Sequence, residues 1–227
     1  MLPSRVNYFG HAAVASWAFL GNGPSPGKSL GSMLPDFATM IGVRLADAVD
    51  PDVSAGIALH HATDSAFHQA APVLALMREL DDRLGELGCA RGPRRATAHI
   101  GTKLLLDATL LAEAPYRASF LAALAVDPAL VRWRGPEGPA RFATLLERMQ
   151  TFGVPEDLRT IESIVHRLHR VTQHRPLLAP NADDLHAMAT GLAEHRARVE
   201  VAADTVMRAV RAVLEMGTVT LSSDFGR

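Results

Sequence analysis

The stretch richest in chemically useful side chains is Ala55-Gly-Ile-Ala-Leu-His60-His61-Ala-Thr-Asp64-Ser-Ala-Phe-His68. On a helix, His60, Asp64 and His68 stand at i, i+4 and i+8, and His61 with Asp64 forms an i, i+3 pair. Imidazoles and a carboxylate therefore share one helical surface within two turns. Donors of this kind suit Zn, Mn, Fe or Ni better than Ca or Mg. A divalent ion held there would lower the pKa of a bound water and orient a phosphoryl oxygen. The same spacing also describes a solvated polar face, because helical His/Asp spacing permits ligation without requiring it.

A second carboxylate lies further along. Ile100, Leu104, Asp107 and Leu111 follow the spacing of a buried helical stripe, with His99 and Lys103 on an overlapping face. A carboxylate inside such a stripe is costly unless it is paired or metal-bound. An ion pair with Lys103, or with an arginine from another helix, would satisfy it for purely structural reasons. Asp36, in Gly31-Ser-Met-Leu-Pro-Asp36-Phe37, follows a Gly/Pro-rich stretch and can point into a cleft, although Pro-Asp is also simply a good helix start. His11, taken alone, reads as a core histidine bonded to a carbonyl. Gly23-Pro-Ser-Pro-Gly27-Lys28-Ser29 imitates a phosphate loop but fails its spacing: Gly23 leaves three residues before Gly27 and Gly21 leaves five, where four are needed. Pro24 and Pro26 also lack the N–H groups that such a loop uses, and no strand signal precedes it.

The elements that must position these groups read as helices. Apolar residues recur at helical spacing in segments rich in Ala, Leu and Arg. The first helix is expected over Asn7–Leu20, a Gly/Pro loop over Gly21–Gly31, and a short helix near Met33–Ile41. Asp50-Pro51 supplies a cap and a first-turn proline for a helix to Gln69. Pro72 kinks that helix or starts the next, to about Leu87. Gly92-Pro93 opens another, to about Glu113. Further helices are expected at Tyr116–Ala125, Pro139–Thr151, Pro155–Gln173 and Ala182–Met216. The last carries Leu185, Met188, Leu192, Val199, Val206, Val210 and Val213 as one stripe. Gly217–Ser223 is the only β-like stretch, and a frayed tail over 217–227 is the expectation. The whole reads as a single all-α domain, residues 1–227.

Composition narrows the function classes. Of 227 residues, 48% are hydrophobic and 21% charged, which is ordinary globular usage and not that of a disordered chain. The formal charge of −1 gives no bulk attraction to nucleic acid or anionic membrane. One cysteine, Cys89, excludes an intramolecular disulfide framework and an all-cysteine metal site. No apolar run approaches the ~20 residues that cross a bilayer. Arg5 followed by Ala12–Leu20 faintly imitates a signal peptide, but His11 and the prolines beyond Gly21 argue against one. A cytoplasmic location is expected.

Taken in order, Asn7-Tyr-Phe-Gly-His11, Gly31-Ser-Met-Leu-Pro-Asp36-Phe37 and Asp52-Val-Ser-Ala-Gly56-Ile57-Ala-Leu-His60-His61-Ala-Thr-Asp64 resemble the acyl carrier protein phosphodiesterase family. That family is distantly related to the HD-type metal phosphohydrolases. The segments look like its Asn-Phe-x-x-His opening, its Gly-Asn-x-x-x-Asp-Phe segment and its Val-x-x-Gly-Ile-x-x-His-Arg-x-Ile-Asp helix. Arg94-Arg95 and Asp107 stand where the family has a basic pair and an Asp-His. The resemblance covers Asn7–Leu111 and continues beyond only as a helical pattern. It implies an all-helical HD-like fold and a manganese-dependent phosphodiesterase that releases 4′-phosphopantetheine from the serine of holo-acyl carrier protein. By position, His11, Asp36, His60, Asp64 and Asp107 carry over as candidate metal or site residues.

The chain also departs from the family. The family's Arg after the motif His is His61, and its second Asp falls on His68. An Asp one turn before Asp107 falls on Lys103, and the His after Asp107 is Ala108. His61, His68 and His99 offer a more nitrogen-rich site, which would favour Zn or Fe over Mn.

The expected function is therefore a metal-dependent phosphodiesterase or phosphohydrolase, with a metal-activated water attacking a phosphodiester. Asp36, His60, Asp64 and Asp107 are the expected ligands, joined by His61 and His68, with His11 and His99 as further candidates. Asp36, Lys103 and Asp107 are the expected catalytic groups, and Lys103, Arg94 or Arg95 would stabilise developing charge on the substrate. The partner is an acyl carrier protein or a small phosphodiester, with no role for nucleic acid or membrane. An acidic carrier would need a basic face, for which Arg167, Arg170 and Arg175, or Arg91, Arg94 and Arg95, are available. The changes at Lys103 and Ala108 equally suit a catalytically degenerate all-α binding protein on the same scaffold. A haem or iron sensor using His166, His169, His174 and His195 is the weaker third reading, since His195 lies on an apolar stripe and the others sit among arginines.

Overall fold

Capping residues explain where several of the helices begin. Asp50 accepts the Asp52 and Val53 amides at 2.9 and 3.1 Å, and Pro51 opens α3 (Pro51–Gln69), as its sequence predicts. Pro72 sits in the first turn of α4 (Ala71–Glu86), so it starts a helix and does not kink one. Thr160 caps α9 (Ile161–Thr172), and the expected continuous helix from Pro155 is instead a short 3-10 turn, Glu156–Arg159, followed by α9.

The computed structural model describes residues 8–18 and 25–223. Within them the chain is all-α, with one small two-stranded ribbon. The remaining helices are α1 (Tyr8–Ala18), α2 (Pro26–Ile41), α5 (Arg91–Ala96), α6 (Thr102–Leu110), α7 (Ala114–Leu124), α8 (Gly138–Phe152) and α10 (Ala182–Ser223). Asn7, Phe19, Leu20 and positions 21–24 and 224–227 lie outside the described residues. The backbone of α10 stays helical through Ser223, where a frayed tail from Gly217 was expected.

The expected loop over Gly21–Gly31 needs correction. The Ser25 hydroxyl accepts the Lys28 amide at 3.5 Å, Pro26 takes the first turn, and α2 has already begun. Its glycines serve close approach, not flexibility. A Cβ on Gly31 would lie 2.1 Å from the Val53 carbonyl oxygen, and one on Gly56 would lie 2.2 Å from that of Lys28. The backbones of α2 and α3 therefore touch directly at this crossing, which only glycine permits.

The ribbon is the second correction. β1 (Arg44–Ala48) pairs antiparallel with β2 (Val131–Arg134), Leu45 opposite Trp133 and Ala48 opposite Val131. Its strands are short and charged, and their partners are far apart in sequence, so no local run announced them. A third local departure lies between α5 and α6, where Thr97–Gly101 forms a π turn that joins the two helices without a break.

The core is one continuous cluster. Phe9, Phe37, Phe120 and Phe142 are fully buried in it, and burying each aromatic side chain contributes about 1.5–3 kcal/mol. Helix α10 packs across α4, α6, α3 and α9 through the expected stripe, with Met188, Leu192, Val199, Val206 and Val210 buried. His195 on the same stripe bonds the backbone of Leu76 in α4, as befits a core histidine. Among the described residues, no helix is long and apolar enough to cross a membrane.

Candidate metal centre

Three helices bring three donors to one point. His11 comes from α1, Asp36 from α2 and His60 from α3, and their ligand atoms all lie within 4.8 Å of one another. All three are buried, at 4%, 0% and 0% exposure. His11 and His60 stack, their ring centroids 4.0 Å apart. The His11 Nε2 atom lies 3.8 Å from an Asp36 oxygen and 3.8 Å from an Asp64 oxygen.

The donor set can be read atom by atom at His60. Its Nδ1 lies 2.8 Å from the carbonyl oxygen of Ser32. A carbonyl only accepts, so Nδ1 carries the proton and Nε2 keeps a lone pair for a ligand. A histidine held by a backbone carbonyl in this way is oriented as metal-binding histidines usually are. Pro35 stands inside α2 and removes the N–H that would otherwise bond the Gly31 carbonyl, loosening the helix next to Ser32. Two imidazoles and one buried carboxylate fit Zn, Fe or Mn.

Asp64 and Asp107 border this group without joining it. Lys103 Nζ donates to an Asp64 oxygen at 3.2 Å and lies 5.0 Å from the centroid of the Phe67 ring. Asp107 accepts the Gly10 amide at 3.0 Å through Oδ1, and a Cβ on Gly10 would meet that oxygen at 2.7 Å. The glycine of Phe-Gly-His11 is thus required for Asp107 to reach α1. Burial, reinforced by Asp36, pushes the Asp107 carboxyl up to about 8, against the lowering effects of the Gly10 amide, Lys103 and Arg167. A cavity of about 30 Å³ opens here, lined by His11, Asp64, Lys103 and Asp107 and by apolar groups such as Phe67 and Met207.

Not every expected site residue reaches the group. His61 and His68 lie on the exposed side of α3. The His61 ring meets His60 edge-on with centroids 5.4 Å apart, and His68 stacks on His99 at 4.9 Å. The nitrogen-rich set built on His61, His68 and His99 therefore does not assemble around His60. Burial first, then Lys103 and His68, holds His99 down to about 4. Arg94 pairs with Asp81 of α4 at 3.2 Å, and Arg95 is exposed; neither lines the cavity. Arg167, offered for docking, is paired with Asp157 at 2.7 Å.

His11 is the residue that sequence spacing undervalued. Read alone it was an ordinary core histidine, and nothing in α1 itself marks it as a ligand. Only the resemblance pointed to it. Compared with family models, with curated proteins and with solved structures, the chain matches none.

Proposed function

We propose that this chain is a metal-dependent phosphohydrolase of phosphodiesters, with one face of its ion held by His11, Asp36 and His60. The observation that carries the reading is the convergence of those three buried donors from three separate helices. Buried polar groups in a core of Phe, Leu and Val cost stability unless something compensates them, so their presence argues for a use. A bound divalent ion would supply a nucleophile at neutral pH and polarise a phosphoryl oxygen. The chain's own part is to hold the donors rigidly through the Ser32 carbonyl and to present the Lys103 ammonium to the cavity. Asp107 stands beside the same cavity, placed to exchange a proton with the substrate or leaving group.

The resemblance to acyl carrier protein phosphodiesterases supports a phosphodiester as substrate and an HD-like arrangement of the helices. The test is turnover of bis-p-nitrophenyl phosphate with added Mn, Fe or Zn, beside a His60→Ala control. Metal-stimulated hydrolysis absent in the control is expected; a chain that takes up none of these ions would overturn the reading. A second reading, a non-catalytic binding protein that keeps the metal, is favoured by the small cavity, since about 30 Å³ has room for little more than a water. Stoichiometric metal with no turnover of any phosphoester would select it.

A further inference from the structure

We infer that the centre takes a single divalent ion, and that the ammonium of Lys103 is the second positive charge that holds an oxyanion of the substrate. This rests on the metal reading of His11, Asp36 and His60. Lys103 is 6% exposed, which is unusual for a lysine, and it lines the cavity together with His11 and Asp107. Asp64 Oδ1 lies between two groups, 3.8 Å from His11 Nε2 and 3.2 Å from Lys103 Nζ. Asp64 Oδ1 is therefore engaged by an ammonium, and among the described residues His11, Asp36 and His60 are the one group of three such donors close enough together to share an ion.

An ammonium has three donors; one is on Asp64, and the face toward Phe67 makes a cation–π contact. The remaining donor serves a single oxygen of a phosphoryl group, an atom of the water-like size the cavity admits, in the way a lysine binds such a group as a point charge.

The experiment counts metal and measures anion binding on the full chain. Protein saturated with Zn, and separately with Mn, is desalted and its metal per chain read by mass spectrometry. Inorganic phosphate is then titrated calorimetrically into the loaded protein and into Lys103→Met, which keeps the apolar stem and is checked for an unchanged circular dichroism spectrum. Lys103→Gln is the second variant, should the thioether fold poorly against Phe67. The expected result is one ion per chain and phosphate affinity at least tenfold weaker in the variants, with their first ion retained, as loss of a charge-assisted hydrogen bond implies. Two ions per chain would overturn this inference and leave the metal reading standing. Phosphate binding unchanged by either variant would overturn it as well. A chain that takes up no ion would remove the metal reading and the inference together.

Discussion

The Nδ1 of His60 donates to the backbone carbonyl of Ser32 at 2.8 Å, across the contact between α3 and α2. One bond thus fixes both the tautomer of the imidazole and its direction. It does so at the crossing where Gly31 and Gly56 bring the two backbones together. The donor set is therefore tied to how closely these helices pack.

Removing a donor should remove the ion. His60→Ala is expected to weaken Zn or Mn binding by at least the ~10–100-fold that follows loss of even an outer-shell partner. The readout is the rise in melting temperature on adding metal, which binding to the folded state alone produces. Equal rises in wild type and variant would place the ion elsewhere.

The helix crossing should be intolerant of one added methyl group. Gly31→Ala places a Cβ 2.1 Å from a backbone oxygen, and backbone cannot rotate away as a side chain can. We expect a loss of about 1–3 kcal/mol or more in urea unfolding, the range of overpacked cores, together with weaker metal uptake. Gly88→Ala is a poor comparator because of its positive φ, so Ala62→Gly on the exposed face of α3 serves as the control, costing about 1 kcal/mol with metal uptake intact.

Asp36 should carry a stability cost in the metal-free protein. It is fully buried, 3.8 Å from His11 Nε2 and grouped with His60, and burying a carboxylate costs stability that a bound ion would offset. Asp36→Asn is expected to leave the metal-free melting temperature equal or higher while abolishing the metal-induced rise, the usual exchange of function for stability. A variant that unfolds well below wild type without metal would show instead that Asp36 is a structural partner.

Acid should destabilise the fold through the half-buried His99 and the buried His195. The folded state holds His99 down to about 4 from 6.5, chiefly by burial. His195 is lowered in the same direction, again chiefly by burial. The unfolded chain takes up protons below pH 6.5 that these folded sites refuse. The stability they contribute is therefore complete above pH 6.5 and lost as pH falls from there toward 4. His99→Gln with His195→Gln should flatten that limb of the urea-midpoint profile measured on metal-free protein. An unchanged slope in the double variant would assign the acid limb to other groups.

Much of the fold was written locally. Asp50-Pro51 and the 3.6-residue stripe of α10 depend on capping geometry and helical period, which neighbouring residues settle among themselves. The ribbon was not, because Leu45 and Trp133 acquire their extended shape only by pairing across the chain. The start of α2 is hidden for a related reason: Gly27 and Gly31 look like loop residues until α3 is seen pressing on them.

The site divides in the same way. The sequence by itself determined that His60 and Asp64 share a helical face and that Asp107 lies in an apolar stripe, since both follow from helical period. Tertiary structure decided which of these groups meet. It brought His11 and Asp36 to His60, turned His61 and His68 outward, and gave Asp64 to Lys103. Spacing along one helix says which side chains share a face, but only the packing of α1, α2 and α3 decides which face is buried and what it buries against.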